Sequence, residues 1–305
     1  MSRGLGDVYK RQTLDIGGSS IKYALLNETG EFIEKGSTIA PHQSIEQFVE
    51  VIGELYDKYA EQIVGMAISM PGAIDPQKGF AYTGGAYKYI KDMEIVKILQ
   101  ERCPLPITIG NDAKCAANAE VGFGCLKDVD DAAVIILGTG IGGCIVRDGK
   151  VHIGKHFSSG EFSWMRTNGE DGNNPECVWA ATNGIPGLLK AVQESVGTKE
   201  QYNGKEIFEM ANSGDKKVLA GLDKFCNRLA VQIYNLQALF DPEKIAIGGG
   251  ISAQPLLLEL VEKHIEEMYQ TGLKANSPIA RPVVVPCQYR NDACLLYTSP
   301  SPRDM

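Results

Sequence analysis

At 305 residues, 44% of them apolar, the chain is long enough to bury two cores of ordinary domain size. Its net charge of −8 comes without any basic run, which argues against a nucleic-acid surface, and no apolar segment reaches the roughly 20 residues that span a bilayer. The eight cysteines are scattered, with no CxxC pair and no secretory apolar segment at the start, the usage of reduced thiols in a cytoplasmic protein.

In chain order, the first feature is LDIGGSSIK (14–22), an acid set against glycines, serines and a lysine at the tip of a strand. Glycines let backbone N–H groups approach a ligand, and hydroxyls and a lysine beside them suit phosphate oxygens; a tight hairpin with a solvated Lys22 is the plain alternative. A buried strand feeding Asp15 should be apolar, yet Lys10, Arg11 and Gln12 precede it, and the chain closes on YTSPSPRDM, which cannot bury a core face. Residues 1–12 and 294–305 are therefore expected to be foreign to the fold.

Ile21 to Leu26 and Phe32 to Ile39, separated by NETGE, read as strands of a meander. Apolar residues at three- and four-residue steps from Ile45 to Tyr59 predict an amphipathic helix capped by Ser44. IVGMAIS and LPITIG are short apolar runs of buried-strand type, and NDAKCAANAEVGFG reads as an alanine-rich helix stopped by glycines. Asn111 and Asp112 sit where that strand meets that helix. An N-cap needs only one such side chain, so the pair also suits an amide that orients a substrate hydroxyl beside a carboxylate that accepts its proton.

A second meander, AAVIILGTGIGGCIVRDGKV, begins at Ala132 and repeats the opening of the chain in kind. The stretch from His152 to Asn183 is polar and irregular, as in a functional loop, and contains Glu161 in SGEFSWM. Val218 to Phe240 predicts a long helix, KIAIGGGIS a strand running into glycines, and Pro255 to Tyr269 a further helix. The turns at 17–18, 138–143 and 248–250 each end an apolar strand, and as a set they suit the phosphates and base of one nucleotide. None matches a P-loop or a full GxGxxG pattern. The alternation of strand and helix indicates α/β architecture in two lobes, a first over 1–117 and a second, with the nucleotide site, over 118–293.

DIGGSSIK, the PG at 71–72, GNDAKCAANAE, GTGIGGC, SGEFSW and IGGGIS, in this order, resemble the ROK family of repressors, open reading frames and sugar kinases. The resemblance runs from about residue 13 to 293. It implies the actin-like ATPase fold, a two-lobed, ribonuclease-H-like α/β architecture with a cleft between lobes. It further implies ATP-dependent phosphorylation of a sugar hydroxyl, expected to be the 6-hydroxyl of glucose or a β-glucoside, with Asp112 as catalytic base. Asn111, Glu161, Gly72 and Gly85 would meet the sugar. Asp15, Gly17, Gly18, Ser19 and Lys22 would form the first phosphate loop, Gly138, Thr139, Gly140, Gly142 and Gly143 the second, and Gly248, Gly249 and Gly250 would border the adenosine. Mg²⁺ would enter with ATP, with Asp15 near it, and a homodimer is expected. The alternatives are a sugar-responsive repressor, or a kinase for another sugar such as N-acetylmannosamine or fructose.

The chain departs from the family's zinc-binding pattern. Trp164 stands where a histidine is expected, and the following segment keeps only Cys177, so no structural zinc is expected there. Trp179 falls where many members carry a second sugar-binding glutamate. The two tryptophans could stack on a sugar ring or serve as core or lid aromatics. This pattern is most similar to the zinc-free β-glucoside kinase and glucokinase-like members.

Overall fold

Two five-stranded sheets with the same strand order organise the chain, one in each of two units. The computed structural model describes residues 10–169, 171–270, 277–289 and 293–297. The first unit takes Met1–Ala119, Lys155–Ser158 and Asp292–Met305, and the second Glu120–Gly154 and Ser159–Asn291.

The first unit contains β1 (Lys10–Ile16), β2 (Ser20–Leu26), β3 (Phe32–Ile39), α1 (Ile45–Asp57), β4 (Ile63–Met70), β5 (Ile74–Asp75), β6 (Phe80–Thr83), β7 (Lys91–Met93), α2 (Ile95–Arg102) and β8 (Ile107–Asn111). Its main sheet runs β3-β2-β1-β4-β8, with β1 antiparallel to β2 and parallel to β4, and β4 parallel to β8. As expected, Ser44 caps α1, its side chain accepting from the Gln47 N–H at 3.3 Å. Phe48, Ile52 and Leu55 on the buried face of α1 belong to one core with Leu14, Ile16 and Ile68 of the sheet. Each such side chain contributes about 1.5–3 kcal/mol by leaving water. The small sheet β5-β6-β7 was not foreseen, because strands of two to four residues are too short to show a period.

The start of β1 corrects the expectation that a strand could not run through Lys10, Arg11 and Gln12. Lys10 pairs with β4, and Arg11 and Gln12 pair on both sides, with β2 and with β4. Gln12 is fully buried, and its amide donates to the Leu55 carbonyl at 2.7 Å. The ladder and that bond compensate only in part, since Gln12 Oε1 and Thr13 Oγ1 are buried without a hydrogen-bond partner. At the other end, α9 (Ala293–Tyr297) buries Ala293 and Leu295 and packs on β1 and β2. That corrects the same expectation for residues 294–297; residues 1–9 and 298–305 lie outside the described residues.

Helix α3 (Asp112–Phe123) carries the chain into the second unit, which contains β9 (Ala132–Leu137), β10 (Ile141–Arg147), β11 (Lys150–His152), α4 (Trp179–Asn183), α5 (Ile185–Val196), α6 (Gly204–Asn212), α7 (Lys216–Phe240), β12 (Lys244–Gly249), α8 (Pro255–Met268) and β13 (Val284–Pro286). Its sheet, β11-β10-β9-β12-β13, repeats the order of the first, two antiparallel pairings followed by two parallel ones. The internal repeat in the sequence is thus a repeat of topology. Asp215 caps α7 by accepting from the Lys217 and Val218 N–H groups, and the buried stripe Leu222, Phe225, Leu229 and Ile233 recurs at three- and four-residue steps against α5 and α8.

The alternatives for the two tryptophans separate here. Trp179 is fully buried, tilted against Phe162 at 5.7 Å, with Nε1–H donating to Asn183 Oδ1 at 3.2 Å. It is a core residue. Trp164 is 73% exposed and does not help to pack its loop. All eight cysteines are free thiols, five of them buried. Among the described residues no helix is long and apolar enough to cross a membrane.

Candidate active site

In the first unit the chain leaves β1 at Ile16, turns through Gly17, Gly18 and Ser19, and returns along β2. The Gly17 N–H closes this turn on the Ser20 carbonyl at 3.0 Å, and a Cβ on Gly17 would stand 2.9 Å from that same oxygen. Two remote side chains hold the outer carbonyls: Tyr87 Oη donates to Gly17 O at 2.6 Å, and His42 Nε2 lies 2.8 Å from Gly18 O. The His42 and Tyr87 rings stack at 5.2 Å. Burial, followed by the charges of Tyr89 and Asp15, pushes the Tyr87 phenol up to about 12, so it stays a donor at neutral pH. With these carbonyls tied back, the N–H groups of Gly18 and Ser19 donate to no protein group among the described residues, and both residues are exposed. Such paired backbone donors suit an anion.

Asp15 and Lys22 face one another across the β1–β2 pair, and both are half-buried. Ser69, fully buried on β4, donates its hydroxyl to Asp15 Oδ1 at 2.9 Å and so orients the carboxylate. A fixed carboxylate is the kind of oxygen ligand that Mg²⁺ takes.

The β8–α3 junction divides its two polar side chains between two tasks. Asn111 Oδ1 accepts from the Lys114 N–H at 3.2 Å, capping α3, while Nδ2 donates to the Gly72 carbonyl at 3.0 Å. That leaves the second Nδ2 hydrogen for a ligand. Asp112 begins the helix and is half-buried, with Oδ1 accepting from the first-turn Ala113 N–H at 2.7 Å. Cys294 on α9 donates its thiol to the Asp112 carbonyl at 3.4 Å, and burial, then the charges of Asp15 and Asp112, pushes that thiol up.

Gly72, tied to Asn111, has φ +113°, and a Cβ there would lie 2.0 Å from Thr83 O; Gly85, at φ +59°, would strike Pro71 at 2.7 Å. Both glycines thus allow the segments at 71–73 and 83–87 to interlock, and the latter delivers Tyr87 to Gly17.

In the second unit the β9–β10 turn spans Gly138 to Gly140. Gly138 donates its N–H to Gly140 O at 3.1 Å and accepts from the Ile185 N–H at 2.9 Å. The N–H groups of Thr139 and Gly140 donate to no protein group among the described residues. Ser163 fixes the start of β10, accepting from the Ile141 N–H at 3.0 Å and donating to the Ile141 carbonyl at 2.8 Å. Gly142 pairs with Ile136 in the ladder, while a Cβ on Gly143 would meet Phe162 at 2.2 Å and Gly160 O at 2.4 Å. That close approach brings the segment with half-buried Glu161 directly over β10. At the end of β12, Gly248 packs under Ile136, and Gly249 adopts φ +94° where a Cβ would lie 2.1 Å from Leu137 O. Gly250 is exposed with open space about it.

Each unit therefore assembles its own share of the predicted residues: Asp15, Gly17, Gly18, Ser19, Lys22, Gly72, Gly85, Asn111 and Asp112 in the first, Glu161 and the turns at 138–143 and 248–250 in the second. Ser69, Tyr87, His42 and Ser163 escaped the sequence reading. The G-A-Y of TGGAY, a glycine turn with an aromatic two residues on, was the available signal for Tyr87.

The ROK family model matches residues 11–296. The chain belongs to the ROK family. It is 31% identical to a β-glucoside kinase of Listeria monocytogenes, over 84% of this chain and 88% of the relative. Among solved structures it is similar to a ROK family protein of Streptococcus pneumoniae in complex with sucrose, at a TM-score of 0.82 and 29% identity, covering 95% of this chain and 96% of the other. A ROK family glucokinase of Streptomyces griseus, solved with glucose and AMPPNP, shares the fold at a TM-score of 0.82 and 23% identity, over 95% and 97% of the two chains. The fold of this ROK chain is accordingly that of the actin-like ATPases.

Proposed function

We infer that this ROK-family chain is an ATP-dependent carbohydrate kinase, and we propose that it phosphorylates the 6-hydroxyl of glucose or a β-glucoside with Asp112 as general base. The observation that carries the reading is the division of labour at the β8–α3 junction. Asn111 caps the helix and ties itself to Gly72, and Asp112 sets a half-buried carboxylate at the helix start beside it.

In the reaction the sugar hydroxyl gives its proton to an Asp112 carboxylate oxygen while its oxygen attacks the γ-phosphorus. The new O–P bond forms as the bond to the β-phosphate oxygen breaks, and ADP leaves with that electron pair. The N–H groups of Gly18 and Ser19, and of Thr139 and Gly140, which donate to no protein group among the described residues, would carry phosphate charge as it spreads over the oxygens, with Lys22 adding a point charge. Mg²⁺, when bound with ATP, supplies countercharge to the phosphates, and Asp15 would hold it directly or through water. Asn111, through its remaining Nδ2 hydrogen, Glu161, and the backbone at Gly72 and Gly85 would orient the sugar; Gly142, Gly143 and Gly248 to Gly250 would let the strands bearing the nucleotide turns close on one another. The names of the relatives support the sugar class, with β-glucoside kinase and glucokinase among them.

The experiment is a coupled ADP-release assay with ATP and Mg²⁺ over a panel of glucose, cellobiose, N-acetylmannosamine, fructose and 6-deoxyglucose, with phosphorus NMR of the products. The reading expects turnover of glucose or cellobiose, phosphate on the 6-oxygen, and none with 6-deoxyglucose. Turnover confined to N-acetylmannosamine or fructose would contradict the sugar assignment, and no turnover of any sugar would contradict the activity.

A further inference from the structure

Outside the residues already assigned, the second unit gathers two thiols and a carboxylate at the C-terminal part of α3. Glu120 on α3, Cys125 just after that helix and Cys287 just past β13 bring one carboxylate oxygen and two Sγ atoms within 4.8 Å of one another. Glu120 has no exposed surface, Cys287 is 3% exposed and Cys125 is half-buried.

Backbone bonds build this cluster and hold it in place. Glu120 Oε2 accepts from the Cys125 and Gln288 N–H groups, both at 3.0 Å, and Oε1 accepts from the Tyr289 N–H at 2.9 Å. One carboxylate thus fixes both cysteine-bearing segments. Gly124 permits the arrangement, since a Cβ there would stand 2.1 Å from Glu120 Oε2. Gly248 permits it from the other side, a Cβ there falling 3.0 Å from Cys287 Sγ. Among the described residues no lysine, arginine or histidine pairs with Glu120. A fully buried carboxylate without countercharge is costly, and here two thiols, the side chains that bind soft cations best, lie within 4.8 Å of it.

We propose that Glu120, Cys125 and Cys287 form a binding site for one soft divalent cation of the zinc class, ligated by two thiolates and a carboxylate, with water completing the tetrahedron. On binding, both S–H bonds break, two sulfur–metal bonds form, and the two protons pass to solvent. The ion clamps the segment after β13 to α3 and to the underside of Gly248. The site lies apart from the 164–177 segment, where Cys177 stands alone, and it owes nothing to the Mg²⁺ that accompanies ATP. It was invisible in the sequence because Cys287 is far along the chain from the other two.

Cadmium is the probe, added to the reduced full-length chain and read by the ultraviolet charge-transfer absorbance of cadmium thiolates. The proposal expects saturation at about one equivalent and a raised melting temperature. Cys125→Ser and Cys287→Ser should each abolish the tight equivalent, while Cys177→Ser retains it. In the unmutated protein, cadmium should also protect Cys125 from iodoacetamide, as mapped by mass spectrometry, which keeps the test decisive if a serine variant fails to fold. Absence of the thiolate band, its persistence in the Cys125→Ser/Cys287→Ser double variant, undiminished alkylation of Cys125, or a Cys125–Cys287 disulfide in place of metal binding would each overturn the proposal.

Discussion

The glycine turn of the first unit and those of the second are held by opposite means. At 17–19, side chains reach in from elsewhere, Tyr87 and His42 taking successive carbonyls so that the next amides face outward. At Gly143 and Gly249 it is the lack of a side chain that counts: Gly143 lies against Gly160 and Phe162, and Gly249 against Leu137, at distances no Cβ tolerates. The comparison teaches that one kind of motif can be a ligand cradle set by donors or a packing contact set by absence. Substitutions at Tyr87 and His42 should therefore act on binding, and those at Gly143 and Gly249 on folding.

The largest expected effect is at Gly249. Valine there would force both a left-handed φ and a clash with Leu137 O, and should lower stability by roughly 3 kcal/mol, seen as a shifted urea midpoint. An unshifted midpoint would break the distinction between the two units. Tyr87→Phe sharpens it from the other side. The ring can keep its stack on His42, so stability should fall by only about 1 kcal/mol, while the loss of the 2.6 Å bond to Gly17 loosens the turn and raises KM for ATP more than KM for sugar. Equal changes in both KM values would place Tyr87 in general folding instead.

The smallest effect is far from either set of turns, where Asp223 on α7 meets Lys263 at 2.9 Å and His264 at 3.0 Å on α8. Burial raises the Asp223 pKa, but the Lys263 hydrogen bond and the charges of His264 and Lys263 outweigh it and hold the carboxyl below its ordinary value. Its stabilisation is therefore fully present above the ordinary carboxylate pKa and is lost as pH falls through the lowered one. Asp223→Asn should cost about 0.2–1 kcal/mol at neutral pH and flatten the acid limb of stability, measured by urea unfolding across pH.

Much of the fold around the candidate site was legible because its signals are local. A strand ending in glycines, or Asn-Asp at a strand–helix junction, declares itself within a few residues, and the repeated meander foretold the two matching sheets. What was not legible depends on partners remote in sequence. Tyr87 and Ser163 act on backbone groups 70 and 22 residues away, which no spacing rule reveals. Polar Lys10, Arg11 and Gln12 read as non-strand because hydrophobic pattern is blind to strand pairing, which for Arg11 and Gln12 runs along both edges, and Trp179 could not be told from a ligand platform until its burial was known.

The central claim, that Asp112 at the helix start serves as the base, is tested most directly by Asp112→Asn in the ADP-release assay with the preferred sugar. The account predicts a fall in kcat of roughly 10²- to 10⁴-fold, with the melting temperature and the KM values for sugar and ATP close to those of the unmutated protein. A variant that folds normally and keeps kcat within a few-fold would remove Asp112 from that role.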